Sequence, residues 1–165
     1  MRLILAQILV AMSLQANAAE WRFGALTLEW LDGFTYQPQG NSQRFVGPSG
    51  EQVIVTVASL NRELENAEVE RRLRQHRTFA ENQLPTLASA KGKVIAPLRE
   101  SSVGEGIALF STGTSVSRIT SEYFYLQFLL ISPRGNMALF TVEGPGDVPA
   151  QMVRYRPLFD TAKWQ

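Results

Sequence analysis

The chain has 165 residues, 45% of them hydrophobic and 19% charged, with 16 Lys plus Arg against 15 Asp plus Glu. That balance excludes disordered and fibrous proteins. With no cysteine and one histidine, His76, it also excludes disulfide frameworks, cysteine–histidine catalysis and the usual zinc ligand sets.

The first eighteen residues have the pattern of a secretory signal peptide. Arg2 is followed by an apolar run from Leu3 to Leu14, interrupted at Gln7 and Ser13, and then by Ala16-Asn17-Ala18. Cleavage is expected between Ala18 and Ala19, giving residues 19–165 as a single exported domain, periplasmic in location. The apolar run is too short to span a bilayer core of about 30 Å. A lipid anchor of the bacterial lipoprotein type needs a cysteine, so a soluble mature form is expected. Cleavage removes Arg2 and no acid, leaving 15 basic and 15 acidic groups. A neutral chain has no broad electrostatic reason to bind nucleic acid or anionic lipid.

Leu26, Leu28 and Trp30 alternate with polar neighbours and predict a strand, turned at Asp32-Gly33. Phe34 and Tyr36 open a short second strand, and Pro38 to Ser42 reads as a loop. A hairpin follows, with Arg44 to Val46 joined through Gly47-Pro48-Ser49-Gly50 to a strand from Glu51 to Ser59. From Asn66 to Leu84 the spacing predicts the main helix. Val69, Leu73, His76, Ala80, Leu84 and Leu87 form its buried stripe, and Pro85 ends or bends it. Leu73 is expected inside and Arg72 outside. The Glu68–Arg72 and Glu70–Arg74 pairs support the helix, and the arginines from Arg71 to Arg77 read as a self-neutralised, solvated face.

Beyond Gly92, strands are expected over Val94 to Leu98, Ile107 to Phe110, Glu122 to Ser132 and Met137 to Val142. The third is apolar on both faces and must be central, which makes Tyr123, Phe124, Tyr125 and Phe128 core residues. Asp147 should cap a last helix running to about Phe159, with Pro149 in its first turn and Pro157 bending it. The sum is an α+β fold. A mostly antiparallel sheet of six to seven strands carries one long helix and a C-terminal helix.

From Leu26 to Trp164 this layout resembles the Mog1/PsbP-like superfamily, including the bacterial DcrB-like proteins. The resemblance rests on the strand and turn from Leu28 to Phe34, the Pro48-Ser49-Gly50 hairpin, and the long helix with Phe79 and Leu84. It continues through the strand from Tyr123 to Ile131, the Gly135 turn, and the closing helix leading to Thr161-Ala162-Lys163-Trp164. It implies a binding or assembly accessory domain, since members serve photosystem assembly, small-GTPase regulation or the chaperoning of secreted toxins. The chain departs from DcrB-like lipoproteins in lacking the lipid-bearing cysteine, and from cytoplasmic chaperone members in its signal peptide.

No catalytic, metal or cofactor-binding residues are assigned from the sequence, and no cofactor is expected. His76 lies on the apolar stripe, where a satisfied structural histidine is the ordinary outcome. Gly113-Thr114-Ser115-Val116-Ser117 lacks the closing glycine of a nucleophile elbow. Glu100, Glu105, Glu122 and Glu143 offer no singled-out pair. The leading expectation is a non-catalytic exported protein with a protein partner in the cell envelope: an assembly factor, an enzyme inhibitor or a toxin-immunity protein. The alternative is an envelope hydrolase using His76 or two carboxylates. From Ser111 to Ser121, seven of eleven residues are Ser or Thr. This stretch is read as an exposed loop or edge, with Ser115, Ser117, Arg118 and Thr120 as partner-binding residues.

Overall fold

The structure, a computed structural model, describes residues 18–39, 42–59, 64–119 and 121–165. The expected signal segment, up to residue 17, and Thr120 therefore lie outside the described residues.

Among the described residues, ten strands and two α-helices follow in order: β1 (Ala18–Phe23), β2 (Leu26–Leu31), β3 (Thr35–Gln39), β4 (Ser42–Val46), β5 (Gln52–Ala58), α1 (Asn66–Lys91), β6 (Lys93–Val103), β7 (Ile107–Val116), β8 (Tyr123–Ile131), β9 (Met137–Pro145), α2 (Val148–Tyr155) and β10 (Lys163–Trp164). A 3₁₀ helix, Arg156–Thr161, joins α2 to β10. Seven strands form one antiparallel sheet in the order β3-β4-β5-β9-β8-β7-β6, and β1-β2-β10 form a second, smaller one. The α+β class and the seven-strand sheet are as expected. The small second sheet is not, because β10 is two residues long and β1 abuts the signal-like segment.

The large sheet is covered on both faces. On one face α1 packs Ala80 and Leu84 against Phe110, Leu129 and Ile131. On the other, Phe124, Leu126, Phe128 and Leu130 meet the small sheet, α2 and the 3₁₀ helix. Strand β8 therefore has the two apolar faces that its central position requires. Between the two sheets lies an aromatic stack. Trp30 lies over Trp21 at 4.8 Å, Phe140 at 5.9 Å and Tyr155 at 5.7 Å, and Phe128 meets Phe159 at 4.6 Å.

Several sequence expectations are corrected. Helix α1 continues through Pro85 to Lys91, because Ala80, Leu84 and Ala88 bury one continuous stripe on both sides of the proline. Thr114 Oγ1 also donates to the Ala88 carbonyl at 3.1 Å. That packing outweighs the one helical hydrogen bond that Pro85 cannot make. The stripe ends on Ala88, and Leu87 is exposed. Strands β6 and β7 are far longer than expected. Thr112 and Thr114 can lie buried in β7 because their hydroxyls donate to the Ala96 and Ala88 carbonyls. The Ser/Thr-rich stretch is therefore an interior strand as far as Val116, not a loop or an edge. Strand β3 extends through Pro38 and Gln39 and pairs with β4, where a loop is expected. The last helix stops at Tyr155 and tightens into the 3₁₀ turn that carries Pro157.

Arg72 is also corrected. It is half-buried, and its Nε donates to the Gly135 carbonyl at 3.0 Å. Leu73 is only half-buried, at the margin of the α1 core. Leu84→Ala should thus be the costly substitution in α1, at about 2–5 kcal/mol for burial and cavity. Leu73→Ala should cost less, and Arg72→Ala about 1 kcal/mol for its lost hydrogen bond. Urea midpoints of the three variants check this order.

Candidate functional site: a groove between β6 and α2

Strand β6 forms one edge of the large sheet, and it is irregular. Its pairing with β7 slips by one residue between Val94 and Ala96, and again between Ala96 and Arg99. These two bulges, on either side of the Ala96–Gly113 pair, leave Ile95 and part of the Pro97–Leu98 step outside the regular ladder. Pro97 adds no backbone donor there, which blunts the edge against strand addition. Ile95 is left 41% exposed.

Helix α2 faces this distorted edge. Asp147 caps it as expected, its Oδ1 accepting from the Ala150 N–H at 2.9 Å. Val148 and Tyr155 bury the inner stripe and Met152 is half-buried between them. Val153 lies off that stripe and is 77% exposed. The helix comes close to the sheet because Gly113 has no side chain. A Cβ there would lie 2.6 Å from Val148 Cγ1 and 2.9 Å from Leu126 Cδ2.

Between β6 and α2 opens a groove of about 740 Å³. Ile95, Ala96 and Pro97 line one side, and Met152, Val153 and Pro157 the other. Its charged rim carries Arg99, Glu100 and Arg156. Glu100 is bound by Arg77 of α1 at 2.7 Å, a contact that raises the guanidinium's pKa above its ordinary value. Arg156 Nη1 meets Asp160 Oδ1 at 2.7 Å, and its Nη2 donates to Ser101 Oγ at 3.2 Å. Arg99 is exposed, and among the described residues no carboxylate pairs with it.

The sequence points elsewhere. Ser115 is half-buried in β7, paired with Lys93 on one side and Phe124 on the other. Ser117 and Arg118 are exposed in the β7–β8 connection, with the Arg118 guanidinium 3.6 Å from the Tyr123 ring centre. The groove residues carry little signal in the sequence, because β6 reads as an ordinary short strand. The available signal is Val153, an apolar residue one step off the stripe of Val148, Met152 and Tyr155.

His76 sits on α1 and is half-buried against the β8–β9 turn. The Gly135 carbonyl accepts from both Arg72 Nε and His76 Nε2, the latter at 3.1 Å. Gly135 itself has φ +77°, the left-handed conformation that this turn needs and glycine adopts without strain. Burial lowers the imidazole's pKa below 6.5; the Gly135 bond opposes this and the Arg72 charge adds to it. His76 lines neither the groove nor the cavities beside Trp164 and Tyr36. The candidate carboxylates are dispersed. Glu105 lies in the β6–β7 turn, whereas Glu122 and Glu143 lie toward the opposite end of the sheet. Among the described residues, no group of three or more His, Cys, Asp or Glu is placed to hold a metal ion. No helix of the described residues is long and apolar enough to cross a membrane.

No protein-family model matches the chain, and no curated protein matches it. Among solved structures it is similar to the Ran-binding protein Mog1p of Saccharomyces cerevisiae. That match has 10% identity and a TM-score of 0.52, covering 90% of this chain and 96% of the yeast one. It is also similar to the cyanobacterial PsbP of Synechocystis, with 11% identity and a TM-score of 0.52 over 91% of this chain and 94% of that one. The chain therefore has the Mog1/PsbP-like fold.

Proposed function

We propose that this is an exported, non-catalytic binding protein of the cell envelope, which receives a protein partner in the groove between β6 and α2. The observation that carries this reading is the pair of exposed apolar walls. Val153 and Ile95 face a common groove instead of being spread singly over the surface, and apolar concavities with polar rims are where partners dock. Mog1p, which shares the fold, is a Ran-binding protein, so this architecture serves protein recognition in at least one other chain. Fold likeness is an analogy for function, so the groove bears the weight. His76 supports the non-catalytic reading, since its Nε2 is committed to the β8–β9 turn.

Export rests on the N-terminal pattern. Cleavage after Ala18 would leave Ala19–Phe23 of β1 in place to pair with β2. Mass spectrometry of the protein from the expressing cell's periplasm should show a chain beginning at Ala19, and an intact Met1 would refute export. Binding is tested separately. Envelope proteins retained by the wild-type chain should be lost with Val153→Glu, while the thermal midpoint moves by no more than about 2 °C. Equal retention by that variant would move the partner surface away from the groove.

A further inference from the structure

We propose that the groove recognises an extended segment of its partner in which an apolar side chain and an aspartate or glutamate stand two or four residues apart. This rests on the groove being the partner site and goes further by naming the chemistry of what enters it.

The charges on the rim select the ligand. Of the three ionised side chains there, Glu100 is already neutralised by Arg77 at 2.7 Å. Arg156 shares its guanidinium between Asp160 and Ser101, which fixes the group at the groove margin. Arg99 is exposed and, among the described residues, is the one of the three with no ion-pair partner. The groove thus presents one uncommitted cation, Arg99, with no free acid lining it. An arginine fork is matched best by a planar carboxylate, which it binds through two parallel hydrogen bonds.

Spacing follows from the strand. Ile95 and Arg99 are four residues apart on β6, or about 13 Å at about 3.3 Å per residue, shortened by the two bulges. In an extended ligand, alternate side chains share a face. A residue filling the space between Ile95 and Val153 therefore places positions two or four further along within reach of Arg99. The ligand's own backbone gains little from the edge between Ile95 and Arg99, since the bulges and Pro97 interrupt the row of backbone groups there. Recognition is then carried by side chains, and charge decides between partners.

The test uses the full chain as bait for a phage-displayed library of random twelve-residue peptides. Enriched sequences are resynthesised with the acidic position as Asp, Asn or Lys, and their affinities measured by fluorescence anisotropy. The expected binders carry an apolar residue two or four positions from an acid. Asn at the acidic position should weaken them at least tenfold. Arg99→Glu should reverse the preference, so that the Lys peptide binds more tightly than the Asp peptide. Val153→Glu should abolish binding of all three. Peptides lost with Val153→Glu but indifferent to Asp against Asn, and to Arg99→Glu, would reject the acidic preference while keeping the groove as the site. Peptides unaffected by Val153→Glu would reject both. A library that yields no binder would reject recognition of a short extended segment, and leave the groove to be judged by the retention experiment alone.

Discussion

Trp30→Ala should destabilise the domain by about 3–5 kcal/mol, the range for emptying a buried aromatic site. Trp30 is fully buried and is the hub of the stack between the two sheets, meeting Trp21, Phe34, Phe140, Tyr155 and Phe159. The small sheet presents a limited apolar surface, so losing this ring removes much of what seats it on the large one. Tyr36→Ala, at a residue 52% exposed, should cost under about 0.5 kcal/mol. Denaturant midpoints for the two variants give the comparison. A small loss for Trp30→Ala would mean that the two sheets are held together by something other than this stack.

The second large effect concerns Glu51, which is 1% exposed at the start of the strand leading into β5. Burial by itself raises its pKa. Backbone N–H bonds, from its own residue and from Ser49, together with Arg154 of α2 at 2.9 Å, outweigh that and hold the carboxyl below its ordinary 4.5. Because the folded pKa lies below the unfolded one, this stabilisation is present above about pH 4.5. It is lost as pH falls through the folded value. Arg154→Met keeps much of the stem but removes the cation, and should cost about 1.5–3 kcal/mol at neutral pH for a charged hydrogen bond to a buried acid. The gap between variant and wild type should close as pH falls through the folded Glu51 value, below which a protonated Glu51 no longer calls for a cation. A gap that stays constant with pH would show that Arg154 stabilises by packing alone. The pair also anchors α2 from the side away from the groove, so loosening it should weaken partner binding as well.

How much of this was legible in the residues depended on whether a segment's pattern was set locally. Strand β2, the β4–β5 hairpin and the two-faced β8 follow from alternation and turn residues, and Asp147 caps α2 where its position before Pro149 predicts. The second half of α1 did not follow, because Pro85 is a local stop that only the tertiary burial of Leu84 and Ala88 overrides. The length of β7 was hidden for a related reason. Thr112 and Thr114 look like surface residues until the Ala96 and Ala88 carbonyls that their hydroxyls bind are brought next to them. The groove was less legible still. It depends on two bulges in β6 and on the absence of a side chain at Gly113, and neither has meaning until the strand and helix are packed.

The central claim is that the space between β6 and α2 is where the partner sits. A photo-crosslinking residue placed at Val153 in the full chain, and for comparison at Ala90 on the exposed side of α1, tests it in the living cell. A discrete crosslinked species from position 153, absent from position 90 and reduced when Arg99→Glu is added, is the predicted result. Crosslinks of equal yield from both positions, or from Ala90 alone, would contradict it.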